Sequence, residues 1–234
     1  MRYLLTIKYD GSKYHGFQRQ NNIKNVQGEL EKCISKYLEQ DIQVKGSGRT
    51  DKGVHAKRQK VHFDTDKNIS GIKRYLNNNL SDTQVKSIKK VNNDFHARFS
   101  VKEKTYLYKI SLNRLDDSNY YMIIYKNLDI KKMKESSKVF LGVHDFRNFS
   151  SGEKDNYITC IKKINIYKIG KHIYIKFVGT GFYRYMVRNL VGALVEVGKG
   201  KISSNELQDI LDNKVNKRLN TALANGLYLI NVRY

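Results

Sequence analysis

The stretch GSGRTDKGVHA (residues 46–56) sets one carboxylate, Asp51, near one guanidinium, Arg49, in a run punctuated by Gly46, Gly48 and Gly53. A glycine-rich loop can cradle a phosphate, but this one lacks the Gly-Lys-Ser/Thr ending of a P-loop. Its glycines do not have the dinucleotide-binding spacing either. Its flanks, DIQVKGS (41–47) and QKVHFDT (59–65), have strand character, so the pattern predicts strand, loop, strand. A carboxylate paired with Arg keeps a low pKa and stays ionised at neutral pH, which suits a nucleophile or a base and not a proton donor. The same residues also make an ordinary turn, with Asp51 accepting from backbone N–H groups and Arg49 covering the surface. Residue types alone leave these two readings even.

Working outward, YLLTIKY (3–9) alternates and predicts a strand, followed by turn chemistry in DGSKYHGFQRQNN (10–22). Val26, Leu30, Cys33, Ile34 and Leu38 keep helical spacing. ISGIKRYLNNNL (69–80) reads as a helix and TQVKSIKKV (83–91) as a strand. Beyond FHARFS (95–100), KTYLYKISL (104–112) alternates again, residues 128–141 are helical, and 158–169 with 172–179 form a hairpin around Gly170-Lys171. FYRYMVRNLVG opens a helix stopped by Gly198, a short helix lies near 203–212, and GLYLINVRY (226–234) is a last strand. Strands and helices come in two comparable batches, before and after residue 98, with no Gly/Ser linker between them. The expected fold is α+β, with both batches sharing one mainly antiparallel sheet.

The chain has 234 residues, 44 Lys plus Arg against 22 Asp plus Glu, and a formal net charge of +22. Such an excess collects polyanions, nucleic acid first among them. A lysine-rich genome would also load the surface, since the chain has no Pro and no Trp. Against that background the arginines are informative: only 12 of the 44 basic residues are Arg. An Arg inside a glycine loop therefore points to a need for its planar, two-pronged donor. Cys33 and Cys160 are too few for a disulfide framework, and the six His residues form no metal-ligand pair. No run approaches the roughly 20 apolar residues of a membrane span, and the expected location is cytoplasmic.

Together, YDGSKYHGFQRQ, GSGRTDKGVHA, FHARFS, KTYLYKI and FYRYMVRNLVG, in that order, resemble the tRNA pseudouridine synthase A family, and the likeness runs from Tyr9 through GLYLINV. Phe17 stands where the family usually has Trp, and TALANGLYL lacks the usual Pro before its glycine. The resemblance implies two related half-domains, 1–98 carrying the GRTD loop and 99–234 carrying KTYLY and MVRN, as one catalytic unit with a basic active-site cleft. It implies an isomerase that converts uridine to pseudouridine in the anticodon stem-loop of tRNA, at positions 38, 39 and 40, and a homodimer that binds tRNA across both subunits. Asp51 would be the catalytic aspartate, Tyr106 the ring that stacks on the target base, Arg49 a contact to the flipped-out nucleotide, and Arg188 the partner of the aspartate.

That chemistry breaks C1′–N1, turns the uracil and joins C5 to C1′, with no change of oxidation state, so neither cofactor nor metal is expected. A carboxylate suffices, either attacking C1′ or removing the C2′ proton. Two other readings stand beside it: a non-catalytic RNA-binding or tRNA-folding protein on the same scaffold, and a metal-dependent RNA hydrolase. The presence of Asp51, Tyr106 and Arg188 argues against the first, and the lack of clustered carboxylates or His ligands argues against the second.

Overall fold

The computed structural model describes residues 1–217 and 219–234. In chain order its elements are β1 (Arg2–Tyr9), α1 (Val26–Leu38), β2 (Lys45–Gly46), β3 (His55–Asp64), α2 (Ile72–Asn79), β4 (Thr83–Val91) and β5 (Glu103–Ser111). There follow β6 (Met122–Ile123), α3 (Ile130–Ser136), β7 (Gly142–Asp145), β8 (Ile158–Ile169), β9 (His172–Gly179), α4 (Met186–Gly198), α5 (Ser204–Leu211) and β10 (Leu227–Arg233). These divide into two compact units, Met1–Lys102 with Tyr228–Tyr234, and Glu103–Leu227.

In the first unit the strand order is β4-β1-β3-β10, with β2 also on β3. β1 runs antiparallel to both β3 and β4, with Leu5 opposite Val61 and Ile88. The C-terminal strand pairs parallel with β3, Tyr228 against His55. Val26, Leu30, Ile34 and Leu38 form the buried stripe of α1, as an i, i+4 spacing requires. Asn25 caps that helix, its Oδ1 accepting from the Gly28 N–H at 2.8 Å.

DIQVKGS is less of a strand than its composition predicts, because only Lys45–Gly46 pairs with β3. The reason lies in α1. The Ile42 N–H donates to Ser35 Oγ and the Val44 N–H to Glu31 Oε1, so side chains of the helix take the bonds a neighbouring strand would have made.

At the far end of the first unit, FHARFS is held from two sides. The Ala97 N–H donates to His62 Nδ1 at 3.1 Å, and the Tyr234 hydroxyl donates to the Ala97 carbonyl at 2.8 Å. Burial, helped by the nearby Arg2 charge, pushes the His62 pKa down to about 4, so the ring is a neutral acceptor at neutral pH.

The second unit has the strand order β5-β9-β8-β7, with β6 added parallel to β5. β5 is antiparallel to β9 along its length, Tyr106 opposite Phe177. β8 and β9 form the expected hairpin, Ile169 opposite His172, with Gly170 at a φ of 56° in the turn. The helix predicted over 128–141 is shorter, tightening at Ser137 into a 3-10 turn that ends at Phe140. Met186, Leu190, Val191 and Leu194 of α4 are buried as predicted. Antiparallel pairing thus predominates in both units, and the protein is mixed α+β as expected. Among the described residues no helix is long and apolar enough to cross a membrane.

Candidate active site

Asp51 lies half-buried in the loop between β2 and β3, with Arg49 exposed two residues before it. The loop is tied at each end. Ser47 donates its N–H to the Lys60 carbonyl at 2.7 Å and its hydroxyl to Gln59 Oε1 at 2.5 Å, while the Gln59 amide donates back to the Gly48 carbonyl at 2.9 Å. On the other side the Val54 N–H reaches the Asp51 carbonyl at 3.1 Å, closing a tight turn with Gly53 at a φ of 83°. A positive φ at the third turn position is a glycine conformation.

Thr50, immediately before the carboxylate, is fixed more firmly still. Its Oγ1 is 2.8 Å from the buried Tyr9 hydroxyl, and its carbonyl accepts from the Phe17 N–H at 3.0 Å. Burial pushes the Tyr9 pKa up to about 12, so this phenol stays protonated and can serve as a donor.

The stretch DGSKYHGF forms the bed beneath the loop. A Cβ on Gly16, whose φ is 103°, would lie 2.8 Å from the Thr50 carbonyl oxygen, and one on Gly11 would lie 2.2 Å from that of Val54. Both contacts are too short for a side chain, so glycine permits the two backbones to touch. Gly46 plays the same part against the ring of Phe17. His55 completes the bed: its Nδ1 accepts from the Gly11 N–H at 3.0 Å, and its ring stacks on Tyr228 of the last strand at 4.5 Å. The same Nδ1 lies 3.2 Å from the Asp10 carboxylate.

Tyr106 and Arg188 belong to the second unit. Tyr106 is buried on β5, its ring edge-on to Phe182 at 5.2 Å. Arg188 stands in the first turn of α4. Its Nε donates to the Ala222 carbonyl at 2.8 Å, its own carbonyl accepts from the Ala222 N–H at 3.1 Å, and its guanidinium lies 4.9 Å from the centre of the Tyr185 ring. This arrangement depends on Gly192, where a Cβ would sit 1.7 Å from the Asn220 carbonyl oxygen. Only glycine lets the 220–222 segment lie so close to α4. Tyr185 itself has a φ of 61°, an unusual left-handed conformation for an aromatic residue. It borders a cavity of about 160 Å³ shared with Asn148, Ser150, Asn189 and Thr221. The Ser150 hydroxyl oxygen is buried with no hydrogen-bond partner.

The carboxylate and Arg49 thus share one loop, and the aromatic and the second guanidinium are each oriented by their own surroundings. Tyr9, Gly11, Gly16, Phe17 and His55 were not singled out as functional in the sequence, although all but His55 lie in or beside the stretch YDGSKYHGFQRQ. Among the described residues no group of three or more His, Cys, Asp or Glu could hold a metal ion.

Comparison with known proteins agrees on the class. A family model described as tRNA pseudouridine synthase matches residues 5–100 and 137–234. A tRNA pseudouridine synthase A of Malacoplasma penetrans (strain HF-2) is 41% identical over 241 residues, covering 100% of both chains. A tRNA pseudouridine synthase A 2 of Bacillus anthracis is 37% identical over 242 residues, covering 99% of both. Among solved structures, the archaeal box H/ACA sRNP Nop10-Cbf5 complex is similar at a TM-score of 0.40 and 10% identity. The match covers 95% of this chain and 58% of that one, a likeness too distant to carry any argument.

The fold and the family match define a pseudouridine synthase. The chain belongs to the tRNA pseudouridine synthase family, and is an isomerase that acts on tRNA.

The contact of Gly16 with Thr50 yields a direct test. Gly16→Ala forces a Cβ against the Thr50 carbonyl at a φ that disfavours any side chain, and is expected to cost about 1–3 kcal/mol of stability. Turnover should fall further than tRNA affinity, because the strain is passed to the residue before Asp51. Gly170→Ala, also at positive φ but with nothing within 4 Å, should cost stability without lowering turnover. Equal turnover in both variants, measured well below their melting temperatures, would show that the bed does not position the loop.

Proposed function

We propose that Asp51 is the catalytic carboxylate and that the uridines isomerised lie at positions 38, 39 and 40 of the tRNA anticodon arm. The observation that carries the assignment of Asp51 is the anchoring of the GRTD loop, with Thr50 held through both its carbonyl and its hydroxyl; the tRNA positions rest on the likeness to the family. A turn that served only to connect two strands would not need so many fixed contacts around a half-exposed carboxylate.

The reaction is redox-neutral. As C1′–N1 breaks, its electron pair goes to the uracil N1. The ring turns, C5 bonds to C1′, and the proton on C5 is lost while N1 gains one. Asp51 promotes this either by attacking C1′, giving a sugar ester that C5 displaces, or by taking the C2′ proton, which is later returned.

Tyr106 stacks on the detached uracil and keeps it from diffusing away while it turns. Arg49, exposed at the loop surface, holds the flipped nucleotide through its phosphate. Arg188 pairs with Asp51 and orients the carboxylate. Extruding the base costs a few kcal/mol, which phosphate contacts made by a chain of +22 offset. The enzyme works as a cytoplasmic homodimer that spans tRNA with both subunits, and the chemistry calls for neither metal nor cofactor.

The positional part is tested by treating unmodified tRNA transcripts with the purified protein and mapping pseudouridine at nucleotide resolution. New pseudouridine at 38, 39 or 40 is expected. Modification confined to another arm would overturn the assignment.

Arg188→Lys tests the pairing, because it keeps the charge and changes only the shape. A guanidinium holds both carboxylate oxygens in one plane, whereas an ammonium is a point charge on a flexible stem. The Nε bond to Ala222 is lost as well. Turnover is expected to drop at least about tenfold, about 1.4 kcal/mol of transition-state stabilisation, with tRNA affinity little changed. Wild-type turnover in this variant would remove Arg188 from the site.

A further inference from the structure

The FHARFS segment ends in a feature that the isomerisation does not use. Phe99 is 76% exposed, and the loop that carries it is locked. His96 Nδ1 accepts from both the Arg98 N–H at 3.1 Å and the Phe99 N–H at 3.3 Å. The His96 N–H donates to Ser100 Oγ at 3.0 Å, and the Ser100 N–H donates to the His96 carbonyl at 2.9 Å. Ala97, fully buried at the centre of the loop, is pinned by His62 and Tyr234. Scattered exposed apolar residues are common on protein surfaces, but they seldom stand at the tip of a loop so fully hydrogen-bonded.

The chemistry around the ring is that of a stacking platform. The Phe99 ring lies on the His96 ring, centroids 4.4 Å apart and tilted by 31°, and His96 in turn meets His62 edge-on at 4.8 Å. The Arg98 guanidinium sits 5.5 Å from the centre of the Phe99 ring. Arg2, Arg98 and Lys45 are the charges that bear on His96 and, after burial, keep its pKa low, which preserves Nδ1 as the acceptor that shapes the loop. Asp64 and Asp94 are the acidic neighbours, and both act on Arg2, Asp64 through a two-pronged ion pair. An aromatic face flanked by a guanidinium matches what an unstacked base and its phosphate offer, because every base has a π-face and every nucleotide a negative charge.

We infer that Phe99, flanked by Arg98, is a second RNA contact, on which an unpaired base of the tRNA stacks away from the uridine being isomerised. The inference rests on the tRNA-modifying activity and adds to it a binding site outside the catalytic loop. The occupant is RNA because the side chains around the ring, Arg98 with Arg2 and Lys45 nearby, are cationic and complement a phosphate.

The chain contains no Trp, so Phe99→Trp installs a single reporter at the site. Its fluorescence should be quenched on adding tRNA, with a midpoint matching the Kd from filter binding. Phe99→Ala, at an exposed position, should fold with an unchanged melting temperature and raise the KM for tRNA at least about fivefold, the lower end of what one stacked base contributes. Phe99→Trp should keep a wild-type KM.

Binding without quenching would overturn the inference. A change in emission with protein concentration alone would also overturn it, by placing a second copy on the ring. A wild-type protein that forms no pseudouridine in tRNA would instead refute the activity on which the inference rests, and that result is distinct from either of these.

Discussion

The contact between the backbones of Gly16 and Thr50 is the constraint from which the GRTD loop takes its shape. It exists because Gly16 has no Cβ and a φ of 103°. With the two chains that close, the Phe17 N–H meets the Thr50 carbonyl and Tyr9 meets the Thr50 hydroxyl. Three groups from the first strand and the turn after it therefore determine where residue 50 lies, and residue 51 follows. Pre-organisation of this kind would spare the proposed catalytic carboxylate the cost of loop ordering during the reaction.

The second unit repeats the device with different residues. Gly192 allows the 220–222 segment to lie against α4, and the Ala222 carbonyl then takes one N–H of Arg188. Tyr185 contributes a ring face beneath the same guanidinium. In both units a glycine brings two backbones together, and a side chain of the candidate site is aimed as a result. Such glycines tolerate substitution poorly for reasons unrelated to flexibility.

Much of this was legible in the sequence, for identifiable reasons. Alternation in YLLTIKY and KTYLYKISL, and 3.6-residue spacing in 26–38 and 186–194, report one buried face each, and burial is what periodicity records. The GRTD loop was legible through its likeness to a family motif, since its residue types alone left a functional and a structural reading even. What was not legible depends on side chains that take bonds normally made by backbone. Glu31 and Ser35 satisfy Val44 and Ile42 and so shorten a strand that composition favours. Nor does local sequence indicate that His55 faces Gly11 on one side and Tyr228 on the other, since those partners are 44 residues before it and, at the last strand, near the end of the chain. Phe99 was visible only as part of a motif; its exposure is a property of the folded loop.

The central claim is that one carboxylate, Asp51, performs the isomerisation on a loop anchored through Thr50 and the Asp51 backbone. Asp51→Asn keeps the size of the side chain and leaves the Tyr9, Phe17 and Val54 contacts in place, while removing the charge. The decisive measurement is single-turnover pseudouridine formation by this variant, alongside its Kd for the same tRNA. The account predicts a loss of turnover of at least about a thousandfold, about 4 kcal/mol, with the Kd nearly that of wild type. Turnover within about tenfold of wild type, about 1.4 kcal/mol, would contradict it.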